Sequence, residues 1–529
     1  MVKLEIKIDI SYNEEKIKEA ISLAFPVEKD EIGEITILKK VLKIDEKKEF
    51  VLTLGVEFSP EREAGLLKMK KRVSPCPDYT LGIPPVKGEA SPVVVGAGPA
   101  GLFSALTLAE AGMNPIVIER GDAVEKRSRA VDRFFANGEL DSESNIQFGE
   151  GGAGAFSDGK LKVGGMDKYK YKVLSEFVNA GAPEDIKYTV GAHLGTDKLP
   201  LYVKGIREKI KALGGSFIYR AKLVSLGVKT GKIAYAEYEK DGKREVIPTD
   251  RVILAMGHSA KDSFEMLLRE GVKMEAKGFG IGMRIEHPRE YINELVLGEK
   301  NPPEEIGTAS YHLVTHLGSG RSVYSFCMCP GGTVVAAASE PSCVVTNGMS
   351  EEKRNAENSN AAHLVSFTPE DFGSDSPLSG IELQRKIERL AYESAGGGYK
   401  APSVAMEDFM NRSNPRALFG VKPSYPCGVS PVRAEEYLPL SVTESLREGI
   451  CAFDDWMPGF YYPEAVLTGP ETRSTSPVRI FRDENYMTPG IYGLYPIGEG
   501  AGYAGGIVSS AVDGVRAAES IILKLASDT

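Results

Sequence analysis

Six cysteines and six histidines are few for 529 residues. Four of the cysteines, Cys76, Cys343, Cys427 and Cys451, stand singly, which excludes a disulfide framework of the secreted kind. Only Cys327 and Cys329 stand close together, and no second ligand pair lies at metal-binding spacing from them, so no metal site is expected. No uninterrupted apolar run reaches the ~18 residues of a membrane span, and the start, Met1-Val2-Lys3-Leu4-Glu5-Ile6-Lys7, alternates apolar and charged residues without a signal-type core. A cytoplasmic protein with no membrane partner is the expectation. A basic excess is also missing: 64 Lys and Arg stand against 74 Asp and Glu, a net charge of −10. That balance argues against nucleic acid as the main partner, while leaving room for a local basic face.

What the chain has in abundance is glycine in patterned places. Pro92-Val93-Val94-Val95-Gly96-Ala97-Gly98-Pro99-Ala100-Gly101-Leu102 reads as an apolar strand running through a G-x-G-x-x-G turn into a helix over residues 102–111, closed by Gly112. Gly96 permits the tight turn, Gly98 lets backbone approach a pyrophosphate, and Gly101 allows helix to pack on strand. The helix N-terminus is an anion site, and Pro99 sits where a missing N–H costs nothing. A second strand, Pro115-Ile116-Val117-Ile118, ends in Glu119, placed to bind adenosine ribose hydroxyls. A carboxylate there repels a 2′-phosphate, which favours FAD or NAD over NADP.

Before this unit, residues 2–58 read as a β-α-β-β module: Val2, Leu4, Ile6, Ile8 and Ile10 line one face of a strand, and a helix carries Ile17, Ala20, Ile21 and Ala24. Strands over 34–44 and 49–58 flank a charged turn at Asp45-Glu46-Lys47-Lys48. Lys68, Lys70, Lys71 and Arg72 read as a solvated linker, and Pro75, Pro77, Pro84 and Pro85 as an extended connector. Beyond Glu119, the run from Asn145 to Leu161 holds Gly149, Gly151, Gly152, Gly154 and Gly159, a loop suited to lie along a flat cofactor and anchored by Phe148, Phe156 and Leu161. A β-meander follows over 222–256, with turns at Thr230-Gly231 and Asp241-Gly242, and its last strand runs into Ala255-Met256-Gly257-His258 and an amphipathic helix over 262–270.

A meander returning to a parallel strand beside a dinucleotide turn resembles the flavoprotein superfamily of glutathione reductase and its two-domain FAD-binding relatives. Ala255-Met256-Gly257 stands where their Ala-Thr-Gly turn falls and lacks its threonine hydroxyl. Gly498-Glu499-Gly500 stands where their ribityl-binding acid, most often Asp, precedes a glycine pair. The helix after it, over 507–526, is expected to bury Ile507, Ala511, Val515, Ala518, Ile522 and Leu525 and to face the flavin's pyrimidine edge with its N-terminus. More narrowly, Phe326-Cys327-Met328-Cys329-Pro330-Gly331-Gly332, residues 471–479 and residues 498–510 resemble blocks of the uncharacterised FAD-dependent dehydrogenase family.

The resemblance implies an α/β fold: a Rossmann-like FAD-binding domain with a β-meander (91–265 and 486–529), an inserted α+β substrate domain (266–485), a linker (75–90) and the small N-terminal α+β module (1–74). It implies non-covalent FAD held by Gly96, Gly98, Pro99, Ala100, Gly101, Glu119, Arg120, Gly149, Gly152, Ala153, Gly154, Lys160, Leu161, Val224, Ala255, Gly257, Gly498, Glu499, Gly505, Gly506 and Ile507. The function it implies is an oxidoreductase moving a hydride between flavin N5 and a small molecule. A flavin-dependent RNA-modifying protein and a non-catalytic redox sensor or scaffold stay open as alternatives.

Gly278, Gly280 and Gly282 mimic a second dinucleotide fingerprint, but the x-x-G spacing is absent and Pro288 interrupts any following helix, so NAD(P)H is left to dock transiently at the flavin. Cys327 and Cys329, two apart on a strand, are expected to project to one face, too far apart for an unstrained disulfide and read as small buried thiols rather than a redox pair. Of the six histidines, His193, His258, His287, His312, His316 and His363, His258 is the best acid/base candidate because it follows the turn at 255–257. Arg284, Arg473 and Arg479 fall in the family blocks, and Arg473, in a polar run not expected to form a buried strand, could clamp an anionic substrate or pair with Glu471 or a backbone carbonyl.

Overall fold

The computed structural model describes residues 1–44, 47–70, 72–86, 91–161 and 164–527. Asp45 and Glu46 of the charged turn, Lys71 of the basic run and residues 87–90 of the connector lie outside them.

Alternation makes the first strand: in Val2–Asp9 every second residue is buried and the others exposed. It pairs antiparallel with Lys48–Val56, which pairs in turn with Ile35–Ile44, while the helix Glu14–Ala24, capped by Asn13, buries Ile17 and Ile21 on the sheet. Two elements there differ from the β-α-β-β expectation. Ser59 caps a short helix, Pro60–Leu66, and Val73–Pro75 adds a fourth strand beside Val2–Leu4, so Lys68 and Arg72 belong to the turn between helix and strand and not to a linker. The outer strand is also tied to the rest of the chain, because Lys40 N–H donates to Tyr188 O and Val190 N–H to Lys40 O (2.7 and 2.9 Å).

The second sheet has five strands, all parallel, in the order Leu494–Pro496, Val252–Leu254, Val93–Val95, Ile116–Glu119, Ser216–Tyr219. Its inner strands are three- and four-residue apolar runs because helices cover the faces. Pro99–Glu110 follows the strand at 93–95, and Ile507–Ser527 lies against it so closely that a Cβ on Gly514 would stand 2.1 Å from Ala100 O. That C-terminal helix buries Ile507, Ala511, Val515, Ala518 and Ile522, with Leu525 half-buried. The meander forms its own three-stranded sheet, Lys222–Lys229, Lys232–Lys240 and Lys243–Pro248. Both hairpin turns place two successive residues at positive φ: Thr230 and Gly231, then Asp241 and Gly242.

Between residues 278 and 474 the chain builds a seven-stranded sheet, antiparallel except at one edge, in the order Val314–His316, Ser322–Cys329, Asn358–Phe367, Phe279–Pro288, Val466–Glu471, Ala401–Ala405, Val429–Pro431. Here the expectation that Pro288 bars a helix fails: Arg289–Leu297 follows directly, Pro288 serving as its N-cap and left-handed Gly298 closing it. The glycines before it still make no phosphate turn. Gly278 precedes a buried strand and Gly280 and Gly282 sit inside it, where a Cβ on Gly280 would meet the Tyr324 hydroxyl at 2.3 Å and one on Gly282 would meet His363 O at 1.9 Å, so these two serve close packing of strands. Among the described residues no helix is long and apolar enough to cross a membrane.

Candidate functional site

The carboxyl ends of the parallel strands open into one cavity of about 270 Å3; beside it lies an apolar void of about 10 Å3. Only the first can take a large ligand, since the second has room for at most a water. Strand ends supply Gly96, Glu119, Ala255, Gly257, Gly498 and Glu499 to the cavity wall, as expected where an open α/β sheet binds ligand. Two helices point their N-termini at it. Gly98, Pro99 and Ala100 open one, with no side chain capping it, and Gly505, Gly506 and Ile507 open the other. Unpaired first-turn N–H groups and two dipoles thus converge on one space.

Glu119 is 5% exposed, and its carboxylate accepts Ala97 N–H (2.8 Å), Gly121 N–H (2.9 Å) and Gly149 N–H (3.0 Å), tying the fingerprint turn to the glycine loop. Arg120 stacks its guanidinium 3.9 Å from the Phe148 ring centroid and is held by Asp262 and Glu143. From the loop, Gly149, Gly152, Ala153, Gly154 and Lys160 line the cavity. The Lys160 ammonium donates to Met328 O and lies 3.8 Å from Asp158, and burial pushes its pKa below the usual lysine value.

Three residues expected at the cofactor are elsewhere. Leu161 packs into the apolar core beside the helix Pro99–Glu110, its N–H on Ala192 O. In the meander it is Ala221, Lys222 and Leu223 that reach the wall, and Val224, pointing the other way from Leu223, does not. Gly101 lies behind the wall, where a Cβ would stand 1.9 Å from Gly96 O; its task is the packing of helix on strand.

The opposite wall comes from the seven-stranded sheet and the segments around it: Phe326, Cys327, Asn347, Gly348, Glu471, Arg473 and Ser474. Cys327 and Cys329 do not share a face. Pairing with Asn358–Phe367 shifts register between Phe326 and Cys329, and at this bulge Cys327 takes φ +40° and is exposed to the cavity while Cys329 is fully buried. Burial pushes the Cys329 thiol up to about 12. The polar run at 471–474 is buried, against expectation, because each charge in it meets a partner from a distant part of the chain. Arg473 donates to both oxygens of Glu388 (3.0 and 2.8 Å) and to Ser339 Oγ (2.6 Å), so neither a free anion clamp nor a Glu471 pair describes it. Burial raises the Glu388 pKa, and Arg473 and Lys261 overcome that and hold it at about 2. Glu471 belongs instead to fully buried Arg284, which donates to both its oxygens (2.7 and 2.9 Å) and to Asn347, Asn360 and Cys327 O. Arg479 is half-exposed beside Glu275.

Of the six histidines only His258 lines the cavity. Its Nδ1 lies 3.5 Å from Glu499 Oε1, and its Nε2 is buried without a hydrogen-bond partner. His287 and His363 lie behind the seven-stranded sheet, and His193 rests on Glu352 O. Sequence reasoning missed Arg127, Gln147, Asp158, Asn347 and Ser474; no spacing rule marks them, since each is brought in by a contact with a remote strand or loop.

A strand-end cavity fed by two helix N-termini, with an acid at the second strand and a glycine loop alongside, defines a dinucleotide-binding flavoprotein. Residues 89–132 match the family model described as FAD binding domain, and residues 278–474 that of the FAD-dependent protein, C-terminal domain-like. A Clostridium beijerinckii chain described as an uncharacterized protein is 44% identical over 529 residues, covering 99% of this chain and 98% of that one. The chain belongs to that family of FAD-dependent proteins, and its cofactor is FAD. Solved structures are more remote: a flavin-dependent brominase (TM-score 0.38, 13% identity, 83% of this chain and 80% of that one) and a geranylgeranyl bacteriochlorophyll reductase-like protein of Thermoplasma acidophilum (0.37, 12%, 83% and 80%). Similarity at that level assigns nothing further.

Proposed function

We propose that the chain is an FAD-dependent oxidoreductase acting on a small molecule held between the glycine-built wall and the wall at Cys327, Asn347 and Ser474. FAD, when bound, supplies hydride chemistry at its N5. The residues proposed to hold it are the helix N-termini at Gly98–Ala100 and Gly505–Ile507 for its negative groups, Glu119 for the adenosine ribose and Glu499 for the ribityl chain. The observation that carries the reading is His258 Nε2, a buried ring nitrogen without a partner in the cavity wall. Glu499, facing Nδ1, favours the tautomer protonated there, which leaves the Nε2 lone pair to take a proton from a substrate O–H or N–H. For hydride transfer that is the complementary half: the proton leaves the substrate to Nε2 as the hydride leaves its carbon.

Lys160 is the cavity cation proposed to meet a charge on the substrate: Arg473 and Arg120 are hydrogen-bonded to their carboxylates, whereas Asp158, 3.8 Å from Lys160, is itself engaged by Arg354. Residues 1–74 are proposed as a separate module and 266–485 as the substrate-binding part. The test is anaerobic flavin reduction with NADH, NADPH and a metabolite panel, followed by His258→Asn on the reductant found. We expect FAD retention with a rate lowered about 10²- to 10⁴-fold. Full turnover in His258→Asn would remove the acid/base role, and a protein inert to the whole panel would favour a sensor or scaffold.

A further inference from the structure

The residue that shapes the FAD site from behind is Arg127, on the helix Val124–Asn137, whose side chain is entirely buried. Its guanidinium meets five backbone carbonyls of a single loop, three of them sharing the two hydrogens of Nη1. Nε donates to Asn145 O (2.8 Å), Nη2 to Ile146 O (2.7 Å), and Nη1 to Gly149 O (3.1 Å), Glu150 O (2.7 Å) and Gly152 O (2.9 Å). The Phe156 ring centroid lies 4.8 Å from its central carbon. Among the described residues no carboxylate is within ion-pair distance of it; Glu119 and Glu150 act on it only from further off. Burial pulls its pKa down to about 10, which leaves it charged near neutrality.

A trans peptide points its N–H opposite to its C=O. Gathering the carbonyls of Glu150 and Gly152 on one side therefore turns the N–H groups of Gly151 and Ala153 to the other. Gly151 N–H reaches Ala97 O of the fingerprint turn (2.8 Å), and Ala153 lies in the cavity wall. The carbonyl ends of these two peptides are buried on Arg127, and of their amide ends one is spent on the fingerprint turn and the other faces the cavity. Gly149 is matched to this arrangement, since a Cβ there would stand 2.4 Å from Arg127 Cδ.

We propose that Arg127 is the positioning residue of the pyrophosphate cradle: by gathering the carbonyls of residues 145–152 it ties the loop to the fingerprint turn and turns the Ala153 N–H toward the cavity and the FAD phosphates, and its positive charge adds to the potential of that wall. The proposal rests on the FAD placement of the preceding section.

The experiment titrates full-length protein, stripped of FAD, with FAD and with riboflavin, which carries the ring and ribityl chain but no phosphate, for wild type, Arg127→Lys and Arg127→Gln. Lysine keeps the charge but offers three donors in place of the five-donor fork. We expect FAD affinity to fall about 10-fold for Arg127→Lys and about 100-fold for Arg127→Gln, with riboflavin affinity of the folded fraction shifting less than about threefold. Equal losses for both flavins, or unchanged FAD affinity, would overturn the proposal and leave Arg127 a support of the fold. Should Arg127→Gln not accumulate folded, Arg127→Lys decides. A wild type that binds neither flavin overturns the FAD placement and this proposal with it; a wild type that binds FAD no better than the variants overturns this proposal alone.

Discussion

The wall built by residues 96–100, 149–154 and 498–507 offers backbone and helix N-termini, whereas the wall built by Cys327, Asn347, Glu471 and Arg473 offers side chains, two of them locked in buried ion pairs. The first kind of wall works by shape. A Cβ in the wrong place has nowhere to go, and the consequence is all or none. The second works by charge balance, in which each group is tolerated only because its partner is there, and disturbing it costs a graded amount.

Breaking the backbone wall gives the largest effects and separates two tasks within one motif. Gly101→Val is expected to give no folded protein, because its Cβ would stand 1.9 Å from Gly96 O. Gly98→Val is expected to fold, since the nearest non-neighbouring atom to its Cβ is 3.6 Å away, but to push its side chain into the pyrophosphate site and purify colourless. Flavin absorbance and a thermal melt on both variants check this. Stoichiometric FAD in Gly98→Val would sink the assignment of the turn.

The side-chain wall should respond by degrees. Arg473→Met removes the guanidinium from Glu388 and is expected to cost about 3–5 kcal/mol in a urea titration, while Arg473→Met with Glu388→Leu should recover much of it. If the double variant were no better than the single, the pair would not be what makes Glu388 tolerable there, and Lys261, 3.1 Å from the same carboxylate, would be the main partner.

The smallest effect sharpens the comparison through pH. His287 and His363 are buried behind the seven-stranded sheet, and burial lowers their pKa values to about 4 and about 3 from an ordinary 6.5. Between those values and 6.5 the unfolded chain binds protons that the folded chain refuses, so stability is full above about 6.5 and is lost as pH falls. At pH 5 each histidine should cost about 2 kcal/mol, and His363→Phe should recover about that much. Glu388 adds a further loss only below about 4.5, as pH falls toward its folded value of about 2. A melting temperature that stays flat from pH 7 to pH 5 would count against the buried neutral state of both rings.

The backbone wall was largely legible in the chain itself. Gly96, Gly98 and Pro99, the acid Glu119 at the end of the next strand, and the glycine pair at 505–506 stand out by spacing, because a turn, a close approach and a helix start are local requirements of the backbone. The hairpin turns at Thr230-Gly231 and Asp241-Gly242 were legible for the same reason. Val224 and Leu161 were misplaced by small steps: on a strand, one residue changes the face, and a loop gives no periodicity to say which apolar residue anchors it. Cys327 and Cys329 were misread because a bulge, set by the partner strand, breaks the alternation the reading relied on.

What the sequence by itself determined is where the chain can turn tightly, where a helix begins without a side-chain cap, and that the protein is of the FAD-binding class. The tertiary structure alone decided which charges meet. Arg473 finds Glu388 85 residues away and Arg284 finds Glu471 187 residues away, and Arg127 closes over carbonyls that any sequence has. An arginine on its own is equally suited to a substrate, a carboxylate or a ring of carbonyls, and the desolvation that makes the choice exists only after the sheets have packed.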